Sequence, residues 1–157
     1  MIFVTVGSQR FQFNRLLTEI ERIDNFSKEE FFVQTGYSTK ILKGINNTQF
    51  MDRLHFSQMI NKAEIIITHA GTGSIIKSLN EKKKVIVVPR YKKFGEHVDD
   101  HQSEIASLFF KKNHVETCID ISELHSIINK VRKKDYANFQ SNNKCFTNFL
   151  LDKIKSL

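Results

Sequence analysis

The sequence predicts an α/β fold: a single Rossmann-like domain with a mostly parallel sheet and helices on both faces. Three observations carry that expectation. Strand-like and helix-like patterns alternate from the first residues onward. The strand-like runs are apolar without interruption, as strands buried on both faces are. The 157 residues are enough for one ordinary domain with a real core.

Ile2 to Val6 is a β-branched apolar run ending at Gly7, which reads as a buried first strand. After the polar loop Ser8 to Asn14, the segment Arg15 to Ile23 sets Leu16, Leu17, Ile20 and Ile23 on one helical face. Phe31 to Gln34 is a second strand, closed by Gly36. Phe56 to Ala63 reads as a short helix and Glu64 to Thr68 as a strand. The loop His69 to Gly73 leads into a helix over Ser74 to Glu81. Lys84 to Val88 is the next strand, stopped by Pro89, the only proline. Beyond the loop Arg90 to His97 a helix is expected over Val98 to Phe110, with Ile105, Leu108 and Phe109 inward. A strand over Val115 to Ile119 and a helix over Ser122 to Lys133 complete the alternation. The last segment, Asn138 to Leu157, places Phe139, Phe146, Phe149, Leu150, Ile154 and Leu157 along one helical side, a C-terminal amphipathic helix of the same single domain.

Bulk properties narrow the class. Hydrophobic residues are 40% and charged residues 26% of the chain, the balance of a globular protein rather than a disordered one. No apolar run approaches the roughly 20 residues of a membrane-spanning helix. The opening MIFVTVGSQ has no basic leader, so it reads as a strand and not a signal peptide. Cys118 and Cys145 stand in no metal-ligand spacing and read as free thiols of a reducing cytoplasm. The net charge of +7 gathers in lysine groups (82 to 84, 92 and 93, 111 and 112, 130 to 134). Such a surface suits an anionic lipid or a phosphorylated ligand, or is simply a solvated face. No aromatic RNA-binding motif or helix-turn-helix accompanies the charge, so nucleic acid is not expected as a partner.

Ligands of open parallel sheets collect beyond the carboxyl ends of the strands. Those ends read Gly7-Ser8-Gln9, Gly36-Tyr37, His69-Ala70-Gly71-Thr72-Gly73-Ser74 and Pro89-Arg90. In the third, two glycines admit close backbone approach, and the following helix directs free N–H groups at its N-terminus. Thr72 and Ser74 add hydroxyls, and the set suits a diphosphate. A plain tight turn with Ser74 as N-cap fits the same residues. It is not a dinucleotide fingerprint, because Ile76 stands where GxGxxG needs its third glycine, and no GK[ST] marks a Walker loop. The stretch Glu96 to Gln102 holds six polar side chains in seven positions, a density of donors and acceptors that suits sugar hydroxyls. Asp99 and Asp100 would also serve a helix N-terminus; His97 and His101 have no such explanation. The spacing is not that of a metal site.

Together these stretches, ITHAGTGSIIKSL, KKVIVVPRY and EHVDDHQSEIA, resemble the donor-binding, C-terminal half of family-28-like GT-B glycosyltransferases. The resemblance is greatest to split relatives: bacterial capsule and exopolysaccharide transferase subunits, and the catalytic subunit of the eukaryotic dolichol-linked N-acetylglucosaminyltransferase. It runs from residue 2 to about residue 110. It implies that Gly7, Ser8 and the loop Ala70, Gly71, Thr72, Gly73 and Ser74 hold a UDP diphosphate. Phe50 and Met51 would meet the uracil ring, and Asp100, His101 and Gln102 the donor hexose. Arg90 would reach a phosphate or the leaving UDP. One position departs from the pattern: where the family carries a ribose-binding glutamate, eight residues after His69, this chain has Lys77.

The resemblance further implies a UDP-hexose-dependent transferase using UDP-galactose or UDP-N-acetylglucosamine, inverting, with neither metal nor cofactor. One Rossmann-like unit is half of a GT-B enzyme. A membrane-anchored partner subunit would supply the acceptor domain and bring a lipid-linked sugar acceptor, placing this chain in the cytoplasm, peripheral at the inner face of the membrane. The C-terminal segment, beside the basic Lys130 to Lys134, is a candidate docking surface for that partner. His69 and His97 are the candidate bases within the chain. A non-catalytic UDP-sugar-binding partner of a transferase is the alternative.

Overall fold

The computed structural model describes residues 1–140. Six strands form one sheet: β1 (Ile2–Thr5), β2 (Phe31–Gln34), β3 (Asn46–Thr48), β4 (Ile65–Thr68), β5 (Lys84–Val87) and β6 (Glu116–Thr117). Their order is β3-β2-β1-β4-β5-β6, and every neighbouring pair is parallel. That is the Rossmann order, in which the chain reverses its direction of winding between β1 and β4 and leaves a crevice there. The expected α/β architecture is therefore what the chain adopts.

Among the described residues five α-helices cover the sheet: α1 (Asn14–Phe26), α2 (Arg53–Lys62), α3 (Thr72–Asn80), α4 (His101–Lys111) and α5 (Leu124–Lys133). Alternation along each strand feeds two cores, because successive side chains point to opposite faces. Ile2, Val4, Val33, Ile65, Ile67 and Ile86 pack under Leu16, Leu17, Ile20 and Ile23 of α1 and Leu124, Ile128 and Val131 of α5. Phe3, Ile66, Val85 and Val87 pack on the other face with Met59 and Ile60 of α2, Ile75 and Leu79 of α3, and Ala106 of α4.

Several expectations are corrected. β3 is a strand the apolar pattern does not announce, since Asn46, Asn47 and Thr48 carry no hydrophobic side chain; register with β2 through the backbone alone makes it. α2 starts three residues early because the Asp52 side chain accepts from the His55 N–H (2.7 Å) and caps it. α3 starts at Thr72 with Gly71 as N-cap, so Ser74 lies inside the first turn and does not cap it. α4 starts at His101, not Val98; residues 92–94 form a separate 3-10 turn. On α4 it is Gln102 and Ala106 that are buried, whereas Leu108 is 55% exposed. The last strand shrinks to Glu116–Thr117.

Charge placement differs as well. Much of the basic surface is paired locally: Arg132 forks onto Glu29 with two bonds of 2.6 Å, and Lys130 and Lys134 both reach Glu116. Lys83 donates to the carbonyls of Asn61 and Ala63, and Lys84 to that of Arg132. Cys118 is buried, and burial pushes its thiol up to about 12. Cys145 and the expected amphipathic helix from Ser141 onward lie outside the described residues.

Candidate functional site

The crevice at the β1/β4 reversal is built around one imidazole. His69, the first residue after β4, is 8% exposed. A Cβ on Gly7 would stand 2.5 Å from its Cε1, and one on Gly71 2.2 Å from its Nε2. Gly7 also sits at φ +79°, where a side chain is strained. Both glycines are thus spaces for the ring, and His69 holds the β1 turn against the α3 turn. Burial first, then the nearby Arg90 charge, pushes its pKa down to about 4. The ring is neutral in the physiological range and only weakly basic, so His69 positions the loops and is no ready proton acceptor.

The α3 N-terminus opens beside this plug. Gly71 offers no side-chain cap, so the first-turn N–H groups remain available to an anion. Thr72 and Gly73 are exposed, and a Cβ on Gly73 would meet nothing within 4 Å. Ser74, together with Thr5, Gly7 and Ser8, lines a groove of about 240 Å³ that continues to Phe50, Met51 and Phe56. Phe50 stands edge-on to Tyr37 at 5.1 Å, giving that end an exposed aromatic rim. The Gly7-Ser8 turn, Ser74 in the first turn of α3 and the Phe50-Met51 segment, far apart in sequence, thus share one groove, whose lining does not include Ala70, Gly71, Thr72 or Gly73.

Two features of that groove, the Gln34 lock and the Arg53 cation, are not legible in the sequence. Gln34, at the end of β2, accepts from Thr5 Oγ1 (2.7 Å) and the Gly7 N–H (3.2 Å) and donates to the Gly7 and Gln49 carbonyls, both at 3.0 Å. It locks the β1 turn to the segment leading to Phe50. Its only sequence signal is a polar residue closing an apolar strand. Arg53 and Lys77 supply two cations to the lining.

The polar stretch after β5 divides into two populations. Glu96 is fully buried and receives the Arg15 fork, both bonds 3.0 Å, plus the Tyr91 N–H. Gln102 is buried too; its Oε1 accepts from the Ala70 and Arg90 N–H groups, tying the ends of β4 and β5. Arg90 corrects the sequence expectation most sharply. It is 0% exposed and donates to the carbonyls of Val6, Phe11, Gln12 and Glu96. Its guanidinium lies over the Phe13 ring at 4.8 Å. Burial pulls its pKa down to about 10, so it stays charged at neutral pH, but it is spent on the loops and not free for a phosphate.

The remaining polar residues stay accessible. Asp100 Oδ1 accepts from the Lys92 N–H (2.9 Å) and is otherwise exposed. His101 is exposed and hydrogen-bonds Glu104, which raises its pKa. His97 packs near Phe11 (5.8 Å) with Nδ1 2.9 Å from Asp99 Oδ1. That contact fits Nδ1–H as donor and leaves Nε2 as the basic nitrogen. Among the described residues no three His, Cys, Asp or Glu side chains are grouped to hold a metal, and no helix is long and apolar enough to cross a membrane.

The chain is similar to known proteins. A family described as "Glycosyltransferase family 28 C-terminal domain" matches residues 1–157. The Homo sapiens UDP-N-acetylglucosamine transferase subunit ALG13 is 27% identical over 128 residues, covering 74% of this chain and 11% of the relative. The Candida albicans protein of the same name is 40% identical over 77 residues, covering 48% of this chain and 24% of the relative. The chain thus spans about a tenth to a quarter of the length of these two curated relatives. An NMR solution structure of ALG13 superimposes with a TM-score of 0.61 at 20% identity, covering 96% of this chain and 94% of that one, a likeness of fold.

Proposed function

The chain belongs to the glycosyltransferase family 28 C-terminal domain family, and from that premise we propose that it binds a UDP-hexose and presents it for transfer to an acceptor held by a second polypeptide. The observation that carries this reading is the convergence of the α3 N-terminus, the Gly7-Ser8 turn and the Phe50-Met51 segment on one groove. Helix amides and the Thr72 and Ser74 hydroxyls suit the diphosphate. The aromatic rim suits the uracil ring, and Asp100 and His101, exposed beyond the groove, suit the hexose. The names of the relatives favour UDP-N-acetylglucosamine over UDP-galactose as donor.

The reaction is displacement at the anomeric carbon by an acceptor hydroxyl, with inversion. The departing diphosphate gathers negative charge, which the first-turn amides of α3 and the helix dipole stabilise without a metal. The attacking hydroxyl must lose a proton. His69 is too weak a base for this, so within the chain the role falls to His97, oriented by Asp99, unless the partner supplies it. The partner would be membrane-anchored and the acceptor a lipid-linked sugar, which would put this chain at the cytoplasmic face of the membrane.

Ligand-observed NMR with UDP, UDP-N-acetylglucosamine, UDP-galactose and ADP tests the donor site. Selective saturation of the uridine ligands supports it, and equal signals from ADP and UDP refute it. The burial of His69 gives some weight to a second reading, a UDP-sugar-binding subunit without chemistry of its own. If His97→Ala in the reconstituted pair leaves turnover within tenfold of wild type, the base lies elsewhere and that second reading gains.

A further inference from the structure

The donor groove holds a pair of cations to which the transfer chemistry assigns no role; a role for them presupposes that the groove is the donor site. Lys77 and Ser74 lie one turn apart on α3 and line the groove together. The Lys77 side chain is half-buried, with Nζ 4.8 Å from the centroid of the Phe56 ring of α2. Arg53, the first residue of α2, lines the groove as well. Among the described residues neither cation has a carboxylate at ion-pair distance. Asp52 also lines the groove, but its carboxylate caps α2 through the His55 N–H. Glu81 lies one turn further along α3 and is exposed. Burial, then the Arg53 charge, lowers the Lys77 pKa, and Glu81 only partly opposes them. Two like charges meet here with an aromatic face and, among the described residues, no carboxylate at ion-pair distance, so an anion entering the groove would relieve the repulsion and gain two charge-assisted bonds.

We propose that Lys77 and Arg53 form a grip for the ribose-linked phosphate of the bound nucleotide, so that this groove selects its ligand by charge near the ribose and not through the ribose hydroxyls. The placement fits: Lys77 packs on α2, the helix entered from the base-reading Phe50-Met51 segment, while Ser74 belongs to the α3 amide end that takes the outer phosphate. A carboxylate at position 77 would instead repel that oxyanion and suit hydroxyls. Lys77 is a binding and specificity residue in this scheme, with no part in proton transfer.

The test is a titration of uridine, UMP and UDP against the wild-type chain, Lys77→Met, Lys77→Arg and Arg53→Gln, with thermal melting to confirm folding. Charge-assisted bonds contribute about 1.5–3 kcal/mol each, so Lys77→Met should weaken UMP and UDP by roughly ten- to a hundredfold. Uridine should bind all four proteins alike, Lys77→Arg should retain most of the affinity, and Arg53→Gln should share the phosphate-dependent loss. Equal losses for uridine and UDP overturn the grip, because the cations then act on sugar or base. An unchanged UDP affinity in folded Lys77→Met also overturns it, while leaving the donor site standing. A wild-type chain that binds no uridine nucleotide removes the donor reading and the grip together.

Discussion

At the scale of single residues, the site is decided by side chains that bury charge or polarity for structural ends. His69 is neutral because burial penalises its cation, and this links stability to pH. Its folded pKa of about 4 lies below the ordinary 6.5, so on acidification the unfolded chain takes up the proton first. The stabilisation is complete above about pH 6.5 and is lost as the pH falls to 4, in total about 3 kcal/mol. Urea midpoints of wild type and His69→Gln should diverge at neutral pH and converge towards pH 4. Arg90→Met should cost about 3–5 kcal/mol, by leaving four carbonyls and the Glu96 region uncompensated in the interior. A thermal melt reads that loss, and a loss under 1 kcal/mol would show the clamp to be dispensable. Little at this scale was legible in sequence. Charged and amide side chains default to the surface, so nothing in the string Arg90 to Gln102 reveals that Arg90, Glu96 and Gln102 turn inward while Asp100 and His101 stay out.

At the scale of elements, the two glycines of the α3 loop do different work, and substitution separates them. Gly71→Ala drives a Cβ into the His69 ring at 2.2 Å and should destabilise the fold. A Cβ on Gly73 meets nothing within 4 Å, and the residue lies in a helix, where replacing glycine as in Gly73→Leu gains up to about 1 kcal/mol. It should therefore melt no lower than wild type and yet lose the uridine signals in NMR. Retained binding would mean that the ligand does not approach the first turn of α3. The buried strands β1, β2, β4 and β5 and the apolar face of α1 were legible because apolar periodicity and burial report the same thing there. β3 was not, since backbone pairing to β2 leaves no mark on a polar triplet. Helix starts moved where a cap or a glycine decided them: Asp52 for α2 and Gly71 for α3.

At the scale of the whole molecule, the described residues form one Rossmann-like unit, with the proposed donor groove at the carboxyl ends of its strands. The expected outcome is that the purified chain binds the UDP-sugar yet transfers nothing to a lipid-linked acceptor until a membrane-anchored partner is added. Radiolabel transfer by the chain alone at the rate of the pair would refute the division of labour. The parallel α/β fold and the strand ends that border the crevice were legible in the amino-acid string, because both follow from local apolar patterning and chain order. The family resemblance it carries also implied Gly7, Ala70–Ser74 and Met51 as donor contacts, and of these Gly7, Met51 and Ser74 line the groove. Which polar residues face the groove became settled only when the chain was folded. Gln34, Arg53 and Lys77 enter it, Arg90 and Gln102 are spent on loop architecture, and His69 becomes a neutral wedge between two glycines. The reason is physical: a polar side chain's destination depends on which distant carbonyl, carboxylate or ring comes within about 3–5 Å once the chain is wound, and no local pattern encodes that meeting.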